Sequence, residues 1–322
     1  MQQHPPISVR NLQKYFAGKH RGSSVKAVDD VSFDIFRGET FGIVGESGCG
    51  KSTLGRTIIR LLEPTGGQVF YDGVDLASLS AEEMRKKRRE IQIIFQDPYA
   101  SLNPRMTVRE LIRAPLDVFS RESEAEKMEK VTNIMHLVGL RDEFMYKYPH
   151  EFSGGQRQRI VIARALILQP RFIFCDEPVS ALDASVRAQV LNLMKKIQRE
   201  MDLTYLFISH DLSVVRFLCD RVAVMYLGHI VEVADKHTLY EHPVHPYTKA
   251  LLSSIPVPDT DVKTEKIILR GEVPSPYDPP AGCPFHTRCP YAQPVCRERM
   301  PSMTDLGGGH AAACHFAQEN LS

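Results

Sequence analysis

Gly45-Glu46-Ser47-Gly48-Cys49-Gly50-Lys51-Ser52 is the stretch on which the fold of this 322-residue chain turns. It fits the phosphate-loop pattern, in which two glycines bracket four residues and Lys and a hydroxyl follow. Backbone N–H groups must close around phosphate oxygens there, and a Cβ would obstruct so tight a turn. An apolar strand over residues 41–44 leads in. A helix starting at Lys51 leads out and stops before Pro64, Gly66 and Gly67. That helix aims the positive end of its dipole at the same phosphates. Gly45, Ser47, Gly48, Cys49 and Gly50 are thus expected around the phosphates. Lys51 should reach the β- and γ-phosphates, Ser52 should hold Mg²⁺, and Thr53 should meet the α-phosphate. A chance match arises in roughly one chain in a hundred of this length. The flanking strand and helix set it aside.

Downstream, residues 171–175 form an apolar strand that ends in Asp176 and Glu177. Strand tips are where α/β sheets present ligand groups. Asp176 is expected on Mg²⁺ and Glu177 as the general base for an attacking water. Alone, two such acids could be solvated turn residues. Behind a phosphate loop they read as catalytic. Phe152-Ser153-Gly154-Gly155-Gln156-Arg157 forms a second anion-binding helix start, with Ser153 as its cap. One nucleotide does not need two cradles in one chain. A dimer in which each Ser153 segment closes on the other subunit's nucleotide explains both.

Further outward, residues 7–36 alternate apolar and polar side chains like antiparallel strands. Buried strands are expected at 91–95, 204–208, 222–226 and 230–233, with a helix over 184–199. Between 97 and 168 helical patterns dominate (107–118, 122–138), which suggests a helical insertion into the α/β body. After residue 236 prolines multiply, Pro256 and Pro258 among them, and a loop-rich tail is expected. The basic run at residues 85–89 reads as a solvated helix face. A net charge of +1 gives no sign of nucleic-acid binding. No stretch approaches the roughly 20 apolar residues that span a bilayer. The N-terminal Met-Gln-Gln-His-Pro-Pro lacks the segments of a secretory signal. A cytoplasmic chain is expected, and one that must dock on other subunits if it serves a membrane system.

The ordered motifs resemble those of ABC transporter nucleotide-binding subunits, from about residue 7 to 233. The phosphate loop is followed by Gln96 at the Q-loop position and by the Ser153–Gln156 signature. Then come Asp176 and Glu177, Ser180-Ala181-Leu182-Asp183 like a D-loop, and His210 like the switch histidine. The resemblance implies an α/β P-loop NTPase fold, an ABC cassette with an antiparallel β subdomain, a helical subdomain and a small Cys-containing C-terminal extension. It implies that Gln96 contacts Mg²⁺ and the attacking water, His210 bonds the γ-phosphate, and Asp183 crosses the dimer interface. Adenine would stack on Phe16 or Tyr15, with spacing slightly favouring Phe16.

His245-Pro246-Tyr247-Thr248-Lys249-Ala250-Leu251-Leu252 and the segment 96–104 resemble the oligopeptide, dipeptide and nickel importer ATPases. This implies residues 1–235 as the nucleotide-binding domain, with its helical subdomain at about 97–168, and 236–322 as a family-specific extension. It implies a related second ATPase, two membrane permease subunits and an extracytoplasmic substrate-binding protein, with no nucleic acid. The cargo would be peptide, with nickel chelates or oligosaccharides as alternatives, and the location the cytoplasmic face of the inner membrane. Of seven cysteines, Cys283, Cys289, Cys296 and Cys314 cluster in the tail. Four thiols on a proline-rich loop suit a metal staple. The resemblance favours a [4Fe–4S] cluster, with Zn²⁺ or free or disulfide thiols as alternatives.

Overall fold

A computed structural model describes residues 6–18, 24–255, 266–269 and 271–321. The N-terminal leader reading (residues 1–5) and Pro256 and Pro258 lie outside the described residues. In chain order the strands are β1 (Ile7–Ala17), β2 (Ser24–Ile35), β3 (Thr40–Val44), β4 (Gly66–Tyr71), β5 (Val74–Asp75), β6 (Ile91–Ile94), β7 (Phe172–Asp176), β8 (Thr204–Ile208), β9 (Arg221–Tyr226), β10 (His229–Asp235), β11 (Thr304–Gly307) and β12 (His310–Ala312). The helices are α1 (Lys51–Ile58), α2 (Ala81–Lys87), α3 (Pro98–Ser101), α4 (Val108–Phe119), α5 (Glu124–Leu137), α6 (Gly154–Leu166), α7 (Ala184–Met201), α8 (Leu212–Leu218), α9 (Lys236–Glu241), α10 (Pro246–Ser253) and α11 (Pro294–Glu298).

The chain divides into two compact units. The first comprises the residues up to Phe36, Thr40–Ala77 and everything from Ile208 onward. Its antiparallel sheet has the order β2-β1-β4-β5, with Ile7 opposite Ile35 and Val9 opposite Phe33. Period-2 alternation turns Ile7 with Val9 and Val31 with Ile35 inward, and a register shift after Val9 puts Leu12 on the same side; all five are fully buried. The strand β4 departs from the sequence expectation, because Gly66 and Gly67 open a strand as well as closing the helical region. A Cβ on Gly67, at φ +75°, would lie 2.2 Å from the Asn11 carbonyl oxygen, so only glycine lets β4 pass β1 there. A second set of strands in this unit runs β11-β12-β10-β9-β3, with β3 parallel to β9.

The tail is more regular than its prolines suggest. It forms α9 and α10, and β12 pairs with β10 through Glu232 opposite Ala312. A small core of Val244, Ala312 and Ala317 fastens it. Glu232 is fully buried. Its carboxylate accepts from Val244 N–H at 2.8 Å, His245 N–H at 2.9 Å and His310 Nε2 at 2.8 Å. A buried carboxylate is tolerated when so many donors meet it.

His245 caps α10 through Nδ1, which accepts from the Tyr247 N–H at 3.1 Å. That bond needs an unprotonated nitrogen. Burial holds the imidazole pKa down to about 4, against an opposing pull from Glu232. The folded pKa is lowered, so the stability contributed is complete above the unfolded value of about 6.5 and is lost as pH falls towards 4. The thermal midpoint should therefore drop across that window. His245→Asn keeps a capping oxygen without a titration and should show a shallower drop by scanning fluorimetry. An equal slope in the two proteins would refute this assignment.

The second unit comprises residues 37–39 and Ser78–Phe207. Its strands run β8-β7-β6, with β6 parallel to β7. β7 and β8 are buried at every residue, as strands covered on both faces are. Among the described residues, 97–168 contain helices and no strand, as the sequence predicts. Capping boxes start α2 at Ser80, α4 at Thr107, α5 at Ser123 and α6 at Ser153. The basic run falls on the end of α2 and beyond, where Lys86 pairs with Glu82 at 3.0 Å in solvent.

Candidate functional site

Within the first unit β3 delivers the chain to the glycine-rich loop and α1 leaves it. Gly45 and Gly50 sit at φ +154° and +109°. A Cβ on them would stand 2.2 Å from the Met225 carbonyl oxygen and 2.1 Å from that of Ala27. Both positions therefore require glycine, as a tight anion cradle does. Gly48, at φ +80°, faces open space. α1 starts at Gly50 without a side-chain cap, and a helix N-terminus of this kind favours an anion. Ser52 and Thr53 lie in that first turn, half-buried. Lys51 is buried, and its ammonium donates to the carbonyls of Gly45 and Glu46, each at 2.9 Å. Cys49 is buried below the loop, and burial raises its thiol pKa. That keeps it a small packing residue at neutral pH.

His210 follows β8, is exposed, and immediately precedes the cap of α8. Of the two aromatics, Tyr15 donates its hydroxyl to the Asp29 carboxylate, with Lys26 5.3 Å from its ring. Phe16 is 38% exposed, with Lys14 5.1 Å from its ring.

Within the second unit Asp176 closes β7 and is 1% exposed. Glu177 follows at φ +48°, a left-handed conformation that costs about 1 kcal/mol or more for a non-glycine residue. There its carboxylate accepts from Gln96 Nε2 at 3.0 Å. The structure thus brings together two residues 81 positions apart that the sequence named separately. Ser153 is the cap of α6 as expected, accepting from the Gln156 N–H at 3.4 Å while its own N–H meets Gln156 Oε1 at 3.0 Å. The paired glycines divide their labour. Gly154 has room for a Cβ, whereas one on Gly155 would meet Val186 Cγ1 at 2.3 Å. Gly155 therefore serves the packing of α6 on α7 first. Asp183 caps α7, accepting from the Val186 N–H and Ser185 Oγ, each at 2.9 Å. These bonds lower its pKa.

The metal expectation for the tail is corrected. All seven cysteines are free. Cys283, Cys289, Cys296 and Cys314 line a cavity of about 190 Å³ together with His245, His286 and His315. Among the described residues no group of three or more His, Cys, Asp or Glu side chains is placed to hold a metal ion. Sulfurs spread around a cavity wall do not offer the convergent shell that zinc or an iron–sulfur cluster requires. Burial, and then the neighbouring thiols, push Cys283 up to about 11, and Cys289 and Cys314 are also raised. The residues do not fit the expected [4Fe–4S] cluster or Zn²⁺.

Sequence reasoning missed Arg288 and Tyr247, both of which grip Glu46 in the phosphate loop. Tyr247 lies in the His245–Leu252 motif, but nothing in the sequence assigned it this contact.

A family model described as ABC transporter matches residues 28–180, and one described as oligopeptide/dipeptide transporter, C-terminal region, matches residues 231–296. The chain is 55% identical over 318 residues to the oligopeptide transport ATP-binding protein AppF of Bacillus subtilis (strain 168), covering 96% of this chain and 97% of that protein. It is 53% identical over 294 residues to the oligopeptide transport ATP-binding protein OppF of Salmonella typhimurium, covering 90% and 88%. Among solved structures it is similar to the ATP-binding cassette MJ0796, a dimer in a post-hydrolysis state bound to ADP and Pi. The TM-score is 0.65 at 31% identity, over 71% of this chain and 98% of that one. It is also similar to cbiO1 of Clostridium perfringens, part of the ABC transporter complex cbiONQ. There the TM-score is 0.66 at 28% identity, over 75% and 93%.

Proposed function

Because the chain belongs to the ABC transporter ATP-binding subunits of the oligopeptide, dipeptide and nickel importer family, we propose that it hydrolyses ATP to drive import of di- or oligopeptides. The observation that carries the choice of importer is the tail, which matches the oligopeptide/dipeptide-type C-terminal region. Residues 1–235 act as the cassette, with 97–168 as its helical subdomain, and 236–322 as the extension.

In this reading Gly45, Ser47, Gly48, Cys49 and Gly50 wrap the phosphates with their backbone. Lys51 binds the β- and γ-phosphates and Thr53 the α-phosphate. The adenine platform is drawn from Tyr15 and Phe16. Ser52, Gln96 and Asp176 would hold the Mg²⁺ that accompanies ATP, and it would supply positive charge to the phosphates. The hydroxyl of Ser52 in the first turn of α1 and the buried carboxylate of Asp176 suit a hard cation that takes oxygen ligands. Glu177 draws a proton from water as the water oxygen bonds to the γ-phosphorus. The bond from that phosphorus to the bridging oxygen breaks, and ADP leaves. His210 bonds the γ-phosphate. Ser153, Gly154, Gly155 and Gln156 close on the nucleotide of a companion ATPase, and Asp183 crosses between the two. ATP closes this dimer and hydrolysis reopens it, and the membrane subunits follow. No helix among the described residues is long and apolar enough to cross a membrane. The chain works at the cytoplasmic face of the inner membrane, docked on two permease subunits that an extracytoplasmic binding protein supplies.

Reconstituting the chain with its native companions in proteoliposomes tests this. ATP-dependent accumulation of labelled peptide is expected, and none with Lys51→Ala. Accumulation of a nickel chelate or an oligosaccharide instead would overturn the cargo. Co-purification with ribosomes or DNA, and no membrane subunit, would overturn transport itself.

A further inference from the structure

The phosphate-loop pattern leaves the residue after its first glycine open. Here that residue is Glu46, an acid in a loop that must receive a triphosphate. An unpaired carboxylate a few Å from phosphates repels them, and the more so where water is partly excluded. Glu46 is not unpaired. Arg288 Nη1 donates to its Oε2 at 2.7 Å and Nη2 to its Oε1 at 3.1 Å, a bidentate fork. The guanidinium side chain is 7% exposed. The Glu46 N–H donates to Tyr247 Oη at 2.9 Å, and its carbonyl accepts from Lys51. Every polar group of this residue is thereby engaged.

The holders are themselves fixed. Tyr247 packs against Tyr226 with ring centroids 4.7 Å apart and against Phe285 at 5.4 Å, and Phe285 meets Tyr226 at 5.3 Å. All three rings are buried. Phe285 and Arg288 stand on the segment between Cys283 and Cys289, whose start is tied by Cys283 N–H to the Cys296 carbonyl at 2.8 Å. The tail therefore reaches the phosphate loop through one arginine fork and one tyrosine hydroxyl.

We propose that Arg288 and Tyr247 are positioning residues for the nucleotide. They hold the phosphate loop through Glu46, and Arg288 cancels a charge that would otherwise oppose the triphosphate. The inference rests on the ATP reading above and adds to it a role for the tail.

The test is the KM for MgATP and kcat of the assembled transporter. Arg288→Met should raise KM about tenfold, equivalent to 1.4 kcal/mol, with kcat within about twofold. Adding Glu46→Gln should return KM close to the parent value, because no carboxylate is left without a partner. Arg288→Lys should fall between, since an ammonium cannot make the fork. Tyr247→Phe removes only a hydroxyl and should raise KM about threefold, which keeps the proposal testable if Arg288→Met does not fold. An unchanged KM in Arg288→Met, or in Tyr247→Phe, overturns the proposal. So does a double variant no better than Arg288→Met. A parent that binds no MgATP, or a Lys51→Ala variant that binds it as well as the parent, overturns the ATP reading itself.

Discussion

Replacing Glu177 with Gln is expected to leave MgATP bound and to lower kcat by roughly 10²-fold or more, the range of a lost general base. The amide has the shape of the carboxylate and can still accept the Gln96 bond with its oxygen. The left-handed backbone at Glu177 does not depend on the side-chain charge. Fold and nucleotide affinity should therefore survive while the proton acceptor is lost. Phosphate release by the assembled transporter, with nucleotide binding measured by calorimetry, checks both halves. Turnover within a factor of two of the parent would remove Glu177 from the chemistry.

Lys51→Ala should act on binding instead. Its ammonium is the α1 cation turned into the loop, bonded to the Gly45 and Glu46 carbonyls. Phosphate oxygens compete for that ammonium when nucleotide arrives. Each hydrogen bond to a charged group contributes about 1.5–3 kcal/mol, so losing two weakens ATP binding by roughly 10²-fold or more. Lys51→Arg should not restore it, because a planar fork is a poor substitute for a compact ammonium in a tight loop. Calorimetric titration with MgATP gives the answer. Affinity equal to the parent's would contradict the loop assignment.

What the sequence disclosed follows from how local each signal is. The phosphate loop, β7 with its acids, and the capped helices α4 to α7 are written in contiguous residues, and they were legible. Ser153 was readable as a cap because it stands directly before the helix that follows, and the structure adds Gln156 as its reciprocal partner. The strand β4 was not, because Gly66 and Gly67 look like a helix stop until β1 is seen alongside. The short strand β12 is held by an edge of β10 that is distant in sequence, and β11 pairs in turn with β12. Glycine in a signature suggested anion approach, yet Gly155 is demanded by Val186 on another helix. Cysteine spacing suggested a metal, but spacing cannot report whether sulfurs converge, and here they do not. The fork from Arg288 to Glu46 spans 242 positions, beyond any local pattern.

The most direct measurement is the structure of the Glu177→Gln transporter, assembled with its companions and saturated with MgATP. The account predicts the Ser153 hydroxyl at hydrogen-bonding distance, about 3 Å, from the γ-phosphate held by the companion ATPase. Nucleotide at Lys51 with Ser153 far from any phosphate would contradict it.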